Sequence, residues 1–400
     1  MTTSFLYHTQ GKNDLLKRQI ITQCINEGNI SIADISKKLT TSIPTATKLV
    51  SELIEEGFLK DMGKLGTNGG RRPNIYGLNS AAGYFIGVDI RIHHINIAIV
   101  DFKGELVDFI EDVNFTLVNS IGSFDEFCNV IRENLSNYDI DHDNVLAYGI
   151  NFSGRVNITT GYCFSYYIGE NTPIAEKLEQ NLRCPVFIEN DSRAMTYGEY
   201  MCGAGQGEKD LLFINVTWGL GMGMIINGRL SYGKSGYSGE IGHFPILNNN
   251  QICQCGKIGC LETGASGSAL HRIFIEKLKS GQSSILSGKF NNNEEIRLED
   301  ILYAVFEEDM LAIECVEEIG ATLGRAIAGL INIFNPETIV IGGIVAEAKD
   351  YLLIPVKGAI NKHSLNIVSK DTHIKTSKLG RKCGAIGACM LSRSKMLNLI

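Results

Sequence analysis

Three cysteines, Cys253, Cys255 and Cys260, fall within eight residues, and His243 precedes them by ten. Soft thiolates with one imidazole are the donor set of a tetrahedral zinc site, and four protein ligands leave no position open for water. The spacing predicts one structural zinc per chain, held by His243, Cys253, Cys255 and Cys260, whose work is to fold a loop with little else to support it. Gly256 and Gly259 supply the turns that wrapping a metal requires. A cluster of ordinary free thiols is the competing reading, and it leaves those glycines without a purpose. The other eight of the eleven cysteines, Cys24, Cys128, Cys315 and Cys389 among them, are scattered singly, as reduced buried thiols are.

A second group of residues has chemistry of a different kind. Arg71 and Arg72 follow Gly66-Thr67-Asn68-Gly69-Gly70, between two short strand-like runs, Phe58 to Lys64 and Asn74 to Leu78. Glycines permit a tight, mobile tip, and an arginine pair on such a hinge suits a polyanion. Three helical patterns come before it. Leu15, Leu16, Ile20, Ile21 and Ile25 share helical spacing, and the Asn26-Glu27-Gly28-Asn29 stretch stops them. Ser31 precedes a second, with Ile32, Ala33, Ile35 and Leu39. Thr40, Thr41 and Ser42 offer caps for a third, which carries Ala46, Val50, Leu53 and Ile54 on one face and ends near Gly57. Three helices and a basic-tipped hairpin make a winged helix-turn-helix. Its third helix would offer Thr45, Thr47 and Lys48 to a DNA major groove, with Arg71 and Arg72 reaching phosphates or the adjacent minor groove. A helical protein-interaction module is the alternative.

Charge supports the division. Residues 1–78 hold ten Lys/Arg against seven Asp/Glu, leaving 27 basic and 37 acidic residues to the rest of a chain whose net charge is −7. A mildly basic head on an acidic body suits a small nucleic-acid module joined to a domain with another task. The boundaries are a head over 1–80 and a body over 81–400, with Ser80-Ala81-Ala82-Gly83 as linker. No apolar run of about 18 residues occurs and the N-terminus is short and polar, so a cytoplasmic protein without a membrane span is expected.

The body reads as strands and helices in alternation. Tyr84 to Ile90, Asn96 to Asp101 and Glu105 to Phe109 are strands; Leu211 to Val216 and Gly223 to Ile226, then a tight Asn227-Gly228 turn and a strand from Arg229, repeat the pattern. The repetition predicts a duplicated α/β architecture with two lobes and a cleft. Helical patterns cover Ser123 to Leu135, Thr172 to Asn181, Ser192 to Cys202 and Glu314 to Phe334. Asn335-Pro336 ends the last and feeds an apolar strand, Thr338 to Ile341, before Gly342-Gly343.

The segment Glu240-Ile241-Gly242-His243, with Cys253-Gln254-Cys255-Gly256-Lys257-Ile258-Gly259-Cys260-Leu261-Glu262, resembles the signature of the ROK family of repressors, open reading frames and kinases. The winged head is similar to that of the family's repressor branch. The resemblance implies an actin-like, sugar-kinase-like (ribonuclease H-like) two-lobed domain. It also implies a sugar site made of Gly154, Asn190, Asp191, Glu240, His243 and Glu262. Asp191, in Glu189-Asn190-Asp191, matches the base that takes the sugar's proton in the kinases, and would be vestigial here. Capping the helix that follows is the other role open to it. Bidentate carboxylates and amides suit paired hydroxyls.

The chain departs from the kinase pattern at its phosphate loops. Where those kinases carry an Asp-x-Gly-Gly-Thr phosphate turn, this sequence reads Asp89-Ile90-Arg91-Ile92-His93-His94. Side chains there obstruct the close backbone approach that phosphate needs, so no phosphoryl transfer is expected. A second phosphate loop is partly kept as Thr217-Trp218-Gly219-Leu220-Gly221-Met222-Gly223, with its usual Gly-Thr-Gly centre altered. The expectation is a sugar-responsive repressor, a homodimer or tetramer on operator DNA, with a sugar or sugar phosphate as effector and closure of the lobes as signal. A kinase with a DNA-binding head, or a regulator answering to a partner protein, are the alternatives.

Overall fold

The structure, a computed structural model, describes residues 4–7, 11–64, 73–91, 93–118, 120–138, 140, 142–165 and 172–400. It divides into two compact units, Met1–Glu189 with Ala388–Ile400, and Asn190–Gly387. The fold is α/β: a winged helix-turn-helix followed by a duplicated, actin-like domain.

The first unit begins with α1 (Ser4–Tyr7), α2 (Lys12–Glu27), β1 (Ile30–Ser31), α3 (Ile32–Lys38), α4 (Ile43–Glu55), β2 (Leu59–Lys64) and β3 (Asn74–Leu78). Local chemistry sets the helix ends. Gly28, at φ +78, stops α2; Ser31 accepts the Asp34 amide at the start of α3; Ser42 accepts the Thr45 amide at the start of α4, with Pro44 in the first turn. Ala46, Leu49, Val50 and Leu53 bury one face of α4. Lys17 of α2, itself buried, reaches Glu52 and Glu56 of α4 at 3.0 and 2.6 Å. β2 and β3 form the expected hairpin, Leu59 opposite Leu78. β1 adds a third strand beside β3, Ile30 opposite Tyr76. Two residues are too few to show a period, so the sequence carried no sign of it.

The same unit holds β4 (Tyr84–Ile90), β5 (His94–Asp101), β6 (Leu106–Asn114), α5 (Ile121–Ser136), β7 (Val145–Phe152), a small hairpin of β8 (Val156–Asn157) and β9 (Tyr162–Cys163), α6 (Ile174–Leu182) and β10 (Val186–Asn190). Its sheet runs β6-β5-β4-β7-β10, with β4 antiparallel to β5 and parallel to β7. α5 and α6 supply Phe124, Phe127, Ile131, Leu178 and Leu182 to its core.

The second unit contains α7 (Asp191–Cys202), β11 (Leu211–Val216), β12 (Leu220–Ile226), β13 (Arg229–Leu230), α8 (Glu262–Ala265), α9 (Gly267–Lys279), α10 (Ser287–Asn291), α11 (Leu298–Phe306), α12 (Met310–Phe334), β14 (Thr338–Gly342), α13 (Asp350–His363), α14 (Asn366–Ser369) and β15 (His373–Thr376). Its sheet runs β13-β12-β11-β14-β15: an antiparallel meander, then parallel strands. Counted from the first strand of each, both sheets have the order third, second, first, fourth, fifth, which is the duplication the sequence pattern predicted. α15 (Cys383–Met396) crosses from one unit into the other.

Residues 80–83, the expected linker, make specific contacts. Ser80–Ala82 form a 3-10 turn capped by Asn79, whose amide group donates to the Gly57 carbonyl at 2.7 Å. Gly83 has φ +151, and a Cβ there would lie 2.6 Å from Leu146. Four buried phenylalanine rings bridge this turn. Phe5 meets Phe58 edge-on at 5.1 Å, Phe58 meets Phe102 at 5.3 Å, and Phe102 stacks on Phe85 of β4 at 6.4 Å. Buried Arg393 of α15 donates to the Phe102 and Lys103 carbonyls at 3.0 and 2.9 Å. Helical head and first sheet therefore share one continuous core.

Candidate functional site

Glu240 leads into a 3-10 turn, Ile241–His243, that presents the imidazole. The chain returns to it through two bridges, Pro245 opposite Cys260 and Ile252 opposite Ile258. The Cys253 amide donates to Lys257 O and the Gly256 amide to Cys253 O, both at 2.8 Å. Gly256 has φ +81, which that turn requires. These turns bring His243, Cys253, Cys255 and Cys260 together, with their ligand atoms all within 4.8 Å of one another. His243 Nδ1 is 3.5 Å from Cys253 Sγ, and Cys255 Sγ is 3.6 Å from Cys260 Sγ. Burial pushes the Cys253 thiol up to about 12 and raises that of Cys260, whereas the Lys257 amide lowers that of Cys255. The group can hold a metal ion. None of the eleven cysteines is in a disulfide.

Around this cluster lie the other residues of interest. His243 Nε2 is 3.7 Å from Glu240 Oε2, so the ring nitrogen that is not turned to Cys253 faces a carboxylate. Glu262 Oε1 is 3.6 Å from Cys253 Sγ, and its Oε2 accepts the Leu220 amide at 3.1 Å. One carboxylate thus joins the cysteine loop to the start of β12. At the start of α7, Asn190 rather than Asp191 is the N-cap: Asn190 Oδ1 accepts the Arg193 amide at 3.1 Å. Asp191 is the first helical residue. Its Oδ1 accepts from the Ser192 amide at 2.7 Å and from Asn190 Nδ2 at 2.8 Å. Ser192 is linked in turn to Asn215 Nδ2 at 3.1 Å. Gly221, opposite Asn215 in the sheet, has no room for a side chain, since its Cβ would lie 2.2 Å from Ser192 Oγ.

Gly154 belongs to the first unit, with φ +93 and Ser165 Oγ 2.0 Å from where its Cβ would be. Asp89, at the end of β4, is buried; its Oδ2 accepts from Arg91 Nε at 2.8 Å, and its Oδ1 has no partner among the described residues. Trp218, the single tryptophan, is 41% exposed and lies 5.6 Å from the His271 ring.

In the head, Thr47 and Lys48 are exposed on α4 and Thr45 is half-buried. Thr47 Oγ1 donates to the Ile43 carbonyl at 2.8 Å, and Lys48 lies 3.8 Å from Glu52. Arg71 and Arg72 lie outside the described residues. Sequence reasoning passed over Ser192, Arg193 and Asn215. A buried polar side chain is visible as such only once its partners, distant in sequence, are in place.

Residues 85–395 match the model of the ROK family. The chain belongs to the ROK family. Among its relatives, the xylose repressor of Caldicellulosiruptor bescii is 29% identical over 97% of this chain and 98% of its own length. A glucokinase of Halalkalibacterium halodurans is 31% identical over 78% of this chain and 96% of its own. Among solved structures, a ROK family transcriptional regulator described as a homologue of the E. coli MLC protein has a TM-score of 0.79 at 27% identity, covering 95% of each chain. ROK relatives of both kinds, repressor and kinase, thus match this chain. Among the described residues, no helix is long and apolar enough to cross a membrane.

Proposed function

We infer that this ROK protein is a sugar-responsive transcriptional repressor of carbohydrate-utilisation genes. Residues 1–80 would be the DNA-binding head and 81–400 the sugar-binding body. One observation carries the reading: the winged head and the ROK body occur in one chain, and the resemblance to a xylose repressor runs through both. In a homodimer or tetramer, α4 enters successive major grooves with Thr45, Thr47 and Lys48, at half-sites about 34–36 Å apart, while Arg71 and Arg72 meet phosphates.

The metal is zinc, and it is structural. A tetrahedron with Zn–S bonds of about 2.3 Å and a Zn–N bond of about 2.0 Å has S···S edges of roughly 3.8 Å and N···S edges of roughly 3.5 Å, close to the 3.6 and 3.5 Å separations found. Three thiols and one imidazole fill its four positions, so no water is activated there. His243 would hold the ion through Nδ1, which faces Cys253, and Nε2 would remain for Glu240 or a ligand hydroxyl. Asn190, Asp191, Glu240, His243 and Glu262 then hydrogen-bond the sugar, and Gly154 joins them by family resemblance alone.

Kinase activity is absent in this reading. Arg91 holds Asp89 by an ion pair where the family's kinases carry phosphate-cradling glycines. The similarity to a glucokinase favours the other reading, in which catalysis survives. A coupled assay over common hexoses and pentoses separates the two: turnover of about 1–100 s⁻¹ establishes a kinase. Operator affinity measured with and without D-xylose, D-glucose, N-acetyl-D-glucosamine and their phosphates tests the repressor. A coupling of about 1–3 kcal/mol, or roughly 5–150-fold, is expected for the effector. No change with any sugar refutes sugar control.

A further inference from the structure

Arg193 is 3% exposed, in the first turn of α7. Burying a guanidinium is costly unless specific partners replace its water. Two of its contacts reach one segment, residues 232–236. Arg193 Nη1 donates to the Gly236 carbonyl at 2.8 Å, and the guanidinium carbon stands 5.6 Å from the centre of the Tyr232 ring. That segment is the approach to Glu240 and His243. Gly233, Gly236 and Gly239 all have positive φ, so its backbone has little restraint of its own. The Ser238 amide reaches back to Tyr232 O at 3.2 Å, and a Cβ at Gly239 would lie 2.1 Å from Met222 O. The loop is thus closed at its base and tied at its middle to α7.

Two pairs of hydroxyl-binding groups meet through this tie. Asn190 and Asp191 open α7, and the Arg193 amide is itself the donor to the Asn190 cap. Glu240 and His243 end the loop that the Arg193 side chain holds. We propose that Arg193 is a positioning residue, which sets the spacing between the Asn190–Asp191 pair and the Glu240–His243 pair and thereby decides which sugars fit. The proposal rests on the sugar-binding reading above.

Arg193→Lys and Tyr232→Leu test it in the full-length protein. The lysine variant keeps the charge but not the planar fork; the leucine variant removes the ring and leaves the arginine. Binding of D-xylose, D-glucose and N-acetyl-D-glucosamine is measured by calorimetry, alongside zinc content and sugar-free operator affinity. Positioning predicts at least a tenfold fall for the preferred sugar and an altered ranking of the three, with zinc and sugar-free operator binding unchanged. A merely structural role lowers all three affinities together and leaves the ranking intact, which overturns the proposal, as does wild-type binding in both variants. If the wild-type protein binds none of the sugars or their phosphates, the sugar-binding reading fails, and this proposal with it.

Discussion

Replacing Cys255 by serine probes the cysteine loop with little damage to the core, because Cys255 is only half-buried whereas Cys253 and Cys260 are buried. The segment from Phe244 to Gly259 has scant apolar support of its own: Phe244, Ile252 and Ile258 are 54%, 76% and 59% exposed. Six backbone hydrogen bonds brace it: Phe244 to Ile241 O, Ile246 to Phe244 O, Leu247 to Gly259 O, Cys253 to Lys257 O, Gly256 to Cys253 O and Leu261 to Phe244 O. At about 0.5–1.5 kcal/mol net each, they contribute roughly 3–9 kcal/mol. Ordering a segment of this length costs about 16 kcal/mol or more, at about 1 kcal/mol or above per residue. The difference, roughly 7–13 kcal/mol, overlaps the roughly 10–16 kcal/mol released when zinc binds a structural site. Losing one thiolate should cost more than the roughly 100-fold in metal affinity that outer-shell partners command. Three results are expected of Cys255→Ser: less than one zinc per chain after dialysis, rapid trypsin cleavage at Lys257, and an unchanged far-ultraviolet circular dichroism spectrum, because neither five-stranded sheet depends on the loop. A variant that keeps one zinc per chain and resists cleavage at Lys257 would refute this account of what holds the loop.

Other consequences can be measured independently. Phe102→Ala removes a fully buried ring that touches both Phe58 and Phe85, and should cost about 3–5 kcal/mol in urea unfolding; a loss under 1 kcal/mol would show that the rings do not share a core. Lys48→Ala should lower the slope of log affinity against log salt for operator DNA by about 0.9. Its ion pair with Glu52 spans 3.8 Å at an exposed site, so thermal stability should stay within about 1 kcal/mol. Trp218 is the single tryptophan and lies in the loop between β11 and β12, so its emission should change on titration with an effector sugar and stay constant with ATP; a saturable response to ATP would restore the nucleotide-binding reading.

The cluster of His243 with three cysteines was legible because its members are close in sequence and the glycines between them have a plain geometric purpose. The head was legible for a similar reason: Ser31 and Ser42 cap the helices they precede. The interior strand β7 is not legible in the sequence. All eight of its residues are buried, yet Ala147, Gly149 and Asn151 interrupt the apolar run. Gly149 is needed there because a Cβ would lie 2.1 Å from the Ala388 carbonyl, a contact made across the length of the chain. Adjacent polar residues raise a different difficulty. Asn190 and Asp191 can both cap a helix, and only the backbone shows that Asn190 does, leaving Asp191 to other work. Arg193 shows the limit most clearly, because the carbonyl it holds is 43 residues further on.

The row of rings from Phe5 to Phe85 has a mechanical meaning. A reader domain on a slack tether can swivel to follow an operator whose halves are displaced. This one lacks that slack: the short turn at Ser80–Ala82 is braced from beneath by Phe102 and Arg393. One base pair inserted between half-sites turns them by roughly 35° relative to each other, and in a dimer so built the misfit would fall on the subunit contact rather than on the joint. Tolerance for operator spacing would then be a property of the assembly rather than of the joint between head and first sheet.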